Sequence, residues 1–176
     1  MEHLFRPWRI KYVSAAASEG AEGAGGSSGA GSGDGCFMCA AVASGDDEAH
    51  HLLARRERTL VILNAYPYNS GHLMVAPLRH VGDLADLEPE EQAEAMEVVT
   101  ECVGALRAEY TPDGFNVGIN LGRVAGAGLP GHVHIHVVPR WNGDTNFMPV
   151  LGDAKVLPES LEDTYRRLAP RLSSLS

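Results

Sequence analysis

Residues 132–138 read His-Val-His-Ile-His-Val-Val, so histidine alternates with β-branched aliphatic residues. This period of two is typical of a strand that is buried on one face, and we expect a strand over the whole run. The imidazoles of His132, His134 and His136 then share the other face. Imidazole can act as a base, a nucleophile or a metal ligand, so this face is the candidate centre for chemistry.

Two other interpretations of the histidine row are open at this point. A single buried histidine is usually a hydrogen-bonded core residue, but three in register would each need partners. The sharper alternative is a metal site, because His-x-His on a strand can direct two ring nitrogens to one zinc ion. The flanking residues decide between these interpretations.

The flanking residues resemble the histidine triad superfamily of nucleotidyl hydrolases and transferases. Its signature is usually His-φ-His-φ-His-φ-φ, where φ is apolar, and residues 132–138 match every position. Residues 63–80 resemble the strand, turn and strand that precede the triad, so the likeness covers about residues 50–145. Residues 4–12 and 139–147 resemble the branch that includes bacterial diadenosine tetraphosphate phosphorylases.

The resemblance implies a role for each histidine of the row. His134 would be the nucleophile that receives the α-phosphate, His136 would bind phosphate, and His132 would support them from behind. Neutral imidazole suits this two-step transfer, since it is nucleophilic near neutral pH and then leaves phosphorus readily. Relatives place a phosphate-side asparagine where Asn120 stands and a ribose contact where Asn64 stands. Turn or strand-end caps are the alternative for both asparagines.

Two further positions bear on the substrate. Many hydrolases of the family have a glutamine four residues before the first triad histidine, where this chain has Gly128. Glycine has no side-chain amide to hold a water, but its backbone can approach a phosphate closely, which favours inorganic phosphate as the acceptor. Trp141 follows the triad strand and is expected either in the core or stacked on adenine.

Cys36 and Cys39 have the C-x-x-C spacing that lets two thiolates bind one tetrahedral ion. In zinc-containing relatives, a histidine after the second strand and the first triad histidine complete such a site. The resemblance therefore implies a structural zinc bound by Cys36, Cys39, His80 and His132, with no cofactor needed for the chemistry. Free thiols at a loop end are the alternative. Cys102 is expected to be a small core residue.

The elements that must position these residues follow from the remaining patterns. Residues 59–63 and 73–76 predict a hairpin, in which His72 serves either packing or the site, and residues 115–120 predict another strand. A long amphipathic helix begins with Pro89 at its first position. Its apolar residues are Ala93, Met96, Val99, Val103, Leu106 and Tyr110. A last helix is expected from about residue 159 to 168, ending near Pro170.

Strand hairpins interrupted by helices predict an α+β fold with an antiparallel sheet, one long helix and one C-terminal helix. The resemblance implies that this is the histidine triad fold, commonly a homodimer. We expect three regions: an arm at residues 1–14 that packs on the domain, a flexible linker at 15–35, and the domain at 36–176. The linker is expected because eight of residues 19–35 are glycine, a composition that cannot offset its ordering entropy.

Composition limits the partners and the compartment. A net charge of −9 without a basic run argues against a surface that binds nucleic acid. The 176 residues contain no long apolar stretch and no apolar signal segment, so we expect a cytoplasmic protein without a membrane partner. Three cysteines do not make a disulfide scaffold.

The leading hypothesis is an enzyme that cleaves a dinucleoside polyphosphate at its α-phosphorus through a nucleotidyl-His134 intermediate. The nucleotide then passes to inorganic phosphate or to water. One alternative is a hydrolase of nucleoside phosphates or phosphoramidates, and another is a zinc-stabilised module that binds nucleotides without turnover. A galactose-1-phosphate uridylyltransferase is disfavoured, because that class resembles two such domains in one chain.

Overall fold

A computed structural model describes residues 35–145 and 157–173. The helices are α1 (Phe37–Ser44), α2 (Pro89–Tyr110) and α3 (Leu161–Leu172). The strands are β1 (Leu52–Arg55), β2 (Thr59–Leu63), β3 (Leu73–Pro77), β4 (Gly114–Ile119) and β5 (Ile135–Arg140). The predicted N-terminal arm and nearly all of the predicted linker lie outside the described residues. None of the helices in the described ranges is long and apolar enough to cross a membrane.

The strands form one antiparallel sheet in the order β1-β2-β3-β5-β4. The predicted hairpin of β2 and β3 is confirmed, with Thr59 opposite Pro77 and Leu63 opposite Leu73. Strand β5 lies between β3 and β4, so it is paired on both sides. The α+β prediction is therefore confirmed. The strand that contains His136 lies in the interior of the sheet.

Both faces of the sheet are covered in the described part of the chain. One face carries Val75 and Val137 and packs against α2 and α3 in a single apolar cluster. The other face carries Leu60 and Met74 and packs against α1. Met74 lies opposite His136 in the register of β3 and β5. Paired residues share a face, so the ring of His136 lies on the α1 side of the sheet.

The triad strand is shorter than predicted. Strand β5 begins at Ile135, so His132 and His134 lie in the segment that precedes it. The reason is that the backbone N–H of Val133 donates to the carbonyl oxygen of Val81, 2.7 Å away, in the loop after β3. The two loops therefore bind each other where a sheet ladder was expected. Val133 is still buried, as the alternation predicts.

Helix α2 begins at Pro89, as predicted, and has a capping box at its N-terminus. Two residues of the predicted apolar stripe, Ala93 and Met96, are exposed instead of buried. The buried residues are Glu91, Ala95, Val98, Val99, Cys102, Ala105 and Leu106. The buried face is therefore rotated in the first turns of α2 relative to the predicted one. The sequence contains two overlapping apolar stripes, and the alanines in them do not indicate which stripe is buried. The core position predicted for Cys102 is confirmed.

Helix α3 continues past the proline at which we expected it to end. It runs to Leu172 with Pro170 inside it, and the N–H of Ser173 donates to the carbonyl oxygen of Ala169 at 2.9 Å. Leu168 and Leu172 are both buried against the sheet. Their burial offsets the single hydrogen bond that a proline in the last turn removes.

Candidate active site and metal site

The rings of His134 and His136 lie together on the α1 side of the sheet. Their centroids are 4.8 Å apart and the ring planes are nearly perpendicular. His134 is 6% exposed and His136 is partly buried. Two of the three predicted triad histidines therefore form a close pair, whereas His132 turns toward other partners.

The hydrogen bond at His134 determines which of its nitrogens carries a proton. Its Nδ1 lies 2.8 Å from the backbone carbonyl oxygen of His132, which can only accept, so Nδ1 carries the proton. Burial lowers the pKa of His134, which favours the neutral ring. A neutral ring with its proton on Nδ1 has a lone pair on Nε2. Nε2 is thus the atom of His134 that is able to act as a nucleophile.

A fourth histidine, His72, determines the protonation of His136 in the same way. The backbone N–H of Tyr68 donates to Nδ1 of His72 at 3.1 Å, so the proton of His72 is on Nε2. Burial, with the neighbouring His136 and His134, lowers the pKa of His72 to about 3 and keeps it neutral. Nε2 of His72 lies 3.0 Å from Nδ1 of His136 and donates to it. His136 therefore carries its own proton on Nε2, as a donor.

The third triad histidine, His132, belongs to a separate cluster with Cys36, Cys39 and His80. One ligand atom from each of these residues lies within 4.8 Å of all the others, so the grouping predicted for the metal site is confirmed. Nδ1 of His132 is 3.2 Å from Sγ of Cys36 and 3.6 Å from Sγ of Cys39. Nδ1 of His80 is 3.4 Å from Sγ of Cys39.

These separations fit a tetrahedral zinc ion. Zinc–sulfur bonds of about 2.3 Å and zinc–nitrogen bonds of about 2.0 Å place neighbouring ligand atoms roughly 3.5 Å apart. Burial and the adjacent Cys36 raise the pKa of Cys39 to about 11, so a thiolate pair here calls for a compensating cation. The four residues form a candidate metal site whose donor set and spacing suit zinc.

Backbone atoms hold the two histidines of the candidate metal site. Nε2 of His132 donates to the carbonyl oxygen of Pro77 at 2.8 Å, which leaves Nδ1 as the ligand atom. The loops that carry His80 and His132 pack closely through two glycines. A Cβ at Gly82 would lie 2.9 Å from the carbonyl oxygen of Pro130, and a Cβ at Gly131 would lie 3.3 Å from the His80 ring.

Both predicted substrate-side asparagines lie beside the histidines. The side-chain amide of Asn120 is 3.4 Å from Nε2 of His136, and because that nitrogen carries a proton, the amide oxygen is the atom that can pair with it. The amide nitrogen of Asn64 is 3.5 Å from Nε2 of His72, while its Oδ1 accepts the N–H of Tyr66 at 2.9 Å. Asn64 therefore makes the turn cap that was its alternative role, and it does so next to the site. Gly128 lies partly buried in the loop that leads to His132.

Trp141 does not lie beside the histidines of its own chain. It follows β5 by one residue, roughly 15 Å along the strand from His136, and alternation turns it to the opposite face. Its ring packs edge-on against Tyr110 at 6.5 Å and lines a cavity of about 730 Å³ next to α3. Stacking of Trp141 on adenine stays a prediction.

Comparison with known proteins agrees with this geometry. The family model of the HIT domain, named for the histidine triad, matches residues 47–143, more than half of the chain. The chain belongs to the HIT family. The resemblance inferred from the histidine row and from residues 63–80 is thereby confirmed.

Three HIT proteins illustrate the relationship. AP-4-A phosphorylase of Mycobacterium tuberculosis is 48% identical over 123 residues, which are 70% of this chain and 63% of that protein. The chain thus spans less than two thirds of that relative. Protein hit of Bacillus subtilis is 28% identical over 80% of this chain and 97% of its own length. A Zn-bound histidine triad family protein from Mycobacterium smegmatis has a solved structure with a TM-score of 0.64 and 32% identity, covering 80% and 95% of the two chains.

Sequence reasoning missed several groups that shape the site. The role of His72 was left open, and only its contacts with Tyr68 and His136 reveal it. The carbonyl oxygens of Pro77 and His132 also had no signal, because every residue type carries a carbonyl. Gly82 could have been found as a glycine between two predicted ligands, but only the contact with the Pro130 loop explains it.

Proposed function

We propose that this HIT protein is a nucleotidyltransferase that cleaves dinucleoside polyphosphates of the diadenosine tetraphosphate type through a nucleotidyl-His134 intermediate. The observation that supports this most is the hydrogen bond from Nδ1 of His134 to the carbonyl of His132. It orients the ring and leaves the Nε2 lone pair beside the donor of His136, 4.8 Å away between centroids. A nucleophile next to a proton donor is the pair that in-line attack on phosphorus requires.

In the first step, Nε2 of His134 attacks the α-phosphorus and forms an N–P bond. The P–O bond to the rest of the substrate breaks, and the departing phosphate oxygen takes the electron pair. The Nε2–H of His136 can donate to a phosphate oxygen during this step, and the Asn120 amide lies beside the same nitrogen. In the second step, the acceptor attacks the same phosphorus and His134 leaves as neutral imidazole.

We propose zinc as the metal of the Cys36, Cys39, His80 and His132 site. Four protein ligands leave no open position, so the ion would supply charge neutralisation and anchoring without activating a water. His132 would bind through Nδ1 while Pro77 holds its other nitrogen. The zinc-bound relative from M. smegmatis supports a metal in this fold.

We propose inorganic phosphate as the preferred acceptor. Two considerations support it: the AP-4-A phosphorylase of M. tuberculosis is 48% identical to this chain, and Gly128 lacks the side-chain amide expected in hydrolases. The test is to incubate the zinc-loaded protein with diadenosine tetraphosphate, with and without millimolar phosphate. Phosphorolysis yields ADP plus ATP, whereas hydrolysis yields AMP plus ATP. AMP as the only new mononucleotide beside ATP at high phosphate would contradict the proposed acceptor.

We also propose a homodimer, in which strand β4 of each chain takes part. In the described part of the chain, β4 pairs with β5 along one side and ends the sheet. Val117 on this strand is 46% exposed, and the following loop presents Leu121 at 42% and Val124 fully exposed. Apolar side chains at a sheet edge suit contact with another protein surface. Light scattering of the wild type and of Val117→Lys tests the proposal, with a monomeric wild type as the contradicting result.

A further inference from the structure

The two cysteines of the candidate metal site sit in a geometry that also permits a disulfide. Cys36 is the N-cap of α1, and Cys39 lies in its first turn, which is closed by the Ala40 N–H bond to the carbonyl of Cys36 at 2.9 Å. Residues three apart in a helical turn have Cα atoms roughly 5 to 6 Å apart. That separation is within the span of a disulfide, so Sγ atoms here can bond without displacing the helix.

The two thiols differ in their access to solvent. Cys36 is 3% exposed, whereas Cys39 is only partly buried at the surface of the same turn. The third cysteine, Cys102, is fully buried in α2 and is not part of the metal cluster. An oxidant in solution would therefore reach Cys39 first, and Cys36 is the sulfur next to it. This is the arrangement of an attacked cysteine with a resolving partner.

His132 belongs to the metal cluster and also to the surroundings of His134. Its ring contacts both sulfur atoms, at 3.2 Å and 3.6 Å. Its backbone carbonyl, in the same residue, accepts the Nδ1–H of His134 at 2.8 Å. Whatever holds the ring of His132 in place therefore also holds the acceptor that determines the tautomer of His134.

We propose that the Cys36–Cys39 pair is an oxidation-sensitive control of His134, an inference that rests on the proposed role of His134 as nucleophile. The oxidant class is a peroxide. In the zinc-loaded protein the bound cation would keep both sulfurs as thiolates. Cys39 thiolate attacks one peroxide oxygen, the O–O bond breaks, and sulfenic acid and hydroxide form. Cys36 thiolate then attacks the Cys39 sulfur, hydroxide leaves, and a disulfide results. For hydrogen peroxide the balance is two thiolates, one peroxide and two protons giving one disulfide and two waters.

The disulfide removes the two anionic donors from the metal site. Two imidazoles alone are a weak set for a zinc ion, so the metal is released. The ring of His132 then loses its partners on the Nδ1 side, and the segment that carries its carbonyl keeps fewer contacts, the His132 Nε2 bond to Pro77 and the Val133 bond to Val81 among them. Nδ1–H of His134 loses a fixed acceptor, its tautomers interconvert, and the Nε2 lone pair is present for only part of the time. A reductant and zinc restore the starting state.

The test compares reduced, zinc-loaded protein with the same protein treated with hydrogen peroxide. Three quantities are followed: zinc released to a chromogenic chelator, the Cys36–Cys39 disulfide by peptide mass mapping, and the His134 ring by proton–nitrogen correlation NMR. We expect release of zinc in step with disulfide formation. We also expect the His134 signal to change from a single Nδ1-protonated tautomer to an average of both, and adduct formation to fall about tenfold or more.

Control variants make the outcome decisive. Cys102→Ser should respond to peroxide as the wild type does, and Cys36→His with Cys39→His should keep a metal and ignore peroxide. The inference is overturned if the disulfide does not form, if zinc stays bound after it forms, or if the His134 tautomer is unchanged after zinc leaves. A reduced protein that never forms a nucleotidyl adduct would instead contradict the proposed function, while the NMR comparison would still decide the link between the two sites.

Discussion

Nε2 of His72 lies 3.0 Å from Nδ1 of His136, and this contact makes His136 a hydrogen-bond donor at its other nitrogen. This series of hydrogen bonds starts at the backbone N–H of Tyr68, which donates to Nδ1 of His72. In His72 and in His136, Nδ1 accepts a hydrogen bond, so the proton of each neutral ring is on Nε2. In the proposed mechanism His72 is therefore a positioning residue, which would act on phosphate through His136 and not by direct contact.

Replacing His72 with phenylalanine should lower kcat while leaving KM for nucleotide within a few-fold. The ring volume is kept, but His136 loses the donor that selects its tautomer, and we expect a loss of about 10- to 100-fold. His72→Gln retains an amide N–H and should lose less. Steady-state kinetics on both variants check this, and equal losses in the two would count against a tautomer-selecting role.

His134→Ala should remove nearly all turnover and leave nucleotide binding within about tenfold, or ~1.4 kcal/mol, because the fold does not depend on this ring. Wild-type protein quenched during turnover should yield an acid-labile nucleotidyl adduct that the variant lacks. His50→Ala is the matched control, since that exposed histidine lies outside the site and should leave the rate unchanged. Turnover retained by His134→Ala would rule out the covalent mechanism.

Much of this site could be predicted because its chemical groups belong to side chains of recognisable type at fixed spacing in the sequence. The histidine row, the C-x-x-C pair and the strand alternation are all properties of residue type and period. The parts of the site that were missed depend on backbone atoms and on contacts between residues that are far apart in the sequence. The carbonyl of Val81, for example, draws Val133 out of the sheet ladder and separates His132 from β5.

The buried face of α2 and the surroundings of Trp141 were missed for a different reason. In α2, two overlapping apolar stripes fit one helical period, and only the docking of the helix on the sheet selects between them. Near Trp141, the strand predicts which face the residue takes but not what lies there. The cavity beside Tyr110 is created by α3, more than fifteen residues further along the chain.

The metal site predicts one bound zinc per chain in protein purified without added metal. Chelation should lower the melting temperature and also the rate per folded molecule, because the ion anchors the His132 segment, whose carbonyl oxygen accepts the Nδ1–H of His134. Zinc affinity should fall as the pH drops below neutral, since thiolates and neutral imidazoles must lose protons to bind. Elemental analysis is the measurement. A zinc content unaffected by Cys36→Ser with Cys39→Ser would exclude this site.

Gly82→Ala should destabilise the protein by about 1–3 kcal/mol and weaken zinc binding. Its new Cβ would lie 2.9 Å from the carbonyl oxygen of Pro130, so the loops that carry His80 and His132 must move apart. Gly104→Ala is the matched control. Apart from the neighbouring residues and backbone of the helix itself, no atom lies within 4 Å of a Cβ there, and alanine in a helix interior should stabilise by about 0.5–1 kcal/mol. Denaturant unfolding of both variants decides whether the contact at Gly82 matters.

Asp144 should make the stability of the protein depend on pH in acid. The guanidinium of Arg140, with the Asn69 amide and the Trp141 N–H, holds the pKa of this carboxyl well below its usual range. Because the folded pKa is depressed, its stabilisation is present above the unfolded pKa of about 3.9 and is lost as the pH falls through the folded value. Asp144→Asn should cost about 1–3 kcal/mol at pH 7 and progressively less below pH 4.

Glu57→Gln, which breaks an exposed pair with Arg58, should change stability by less than about 0.5 kcal/mol at either pH. Denaturant melts at pH 7 and pH 3 measure both differences, and a pH-independent cost at Asp144 would mean that its ion pair is not the source of the stabilisation.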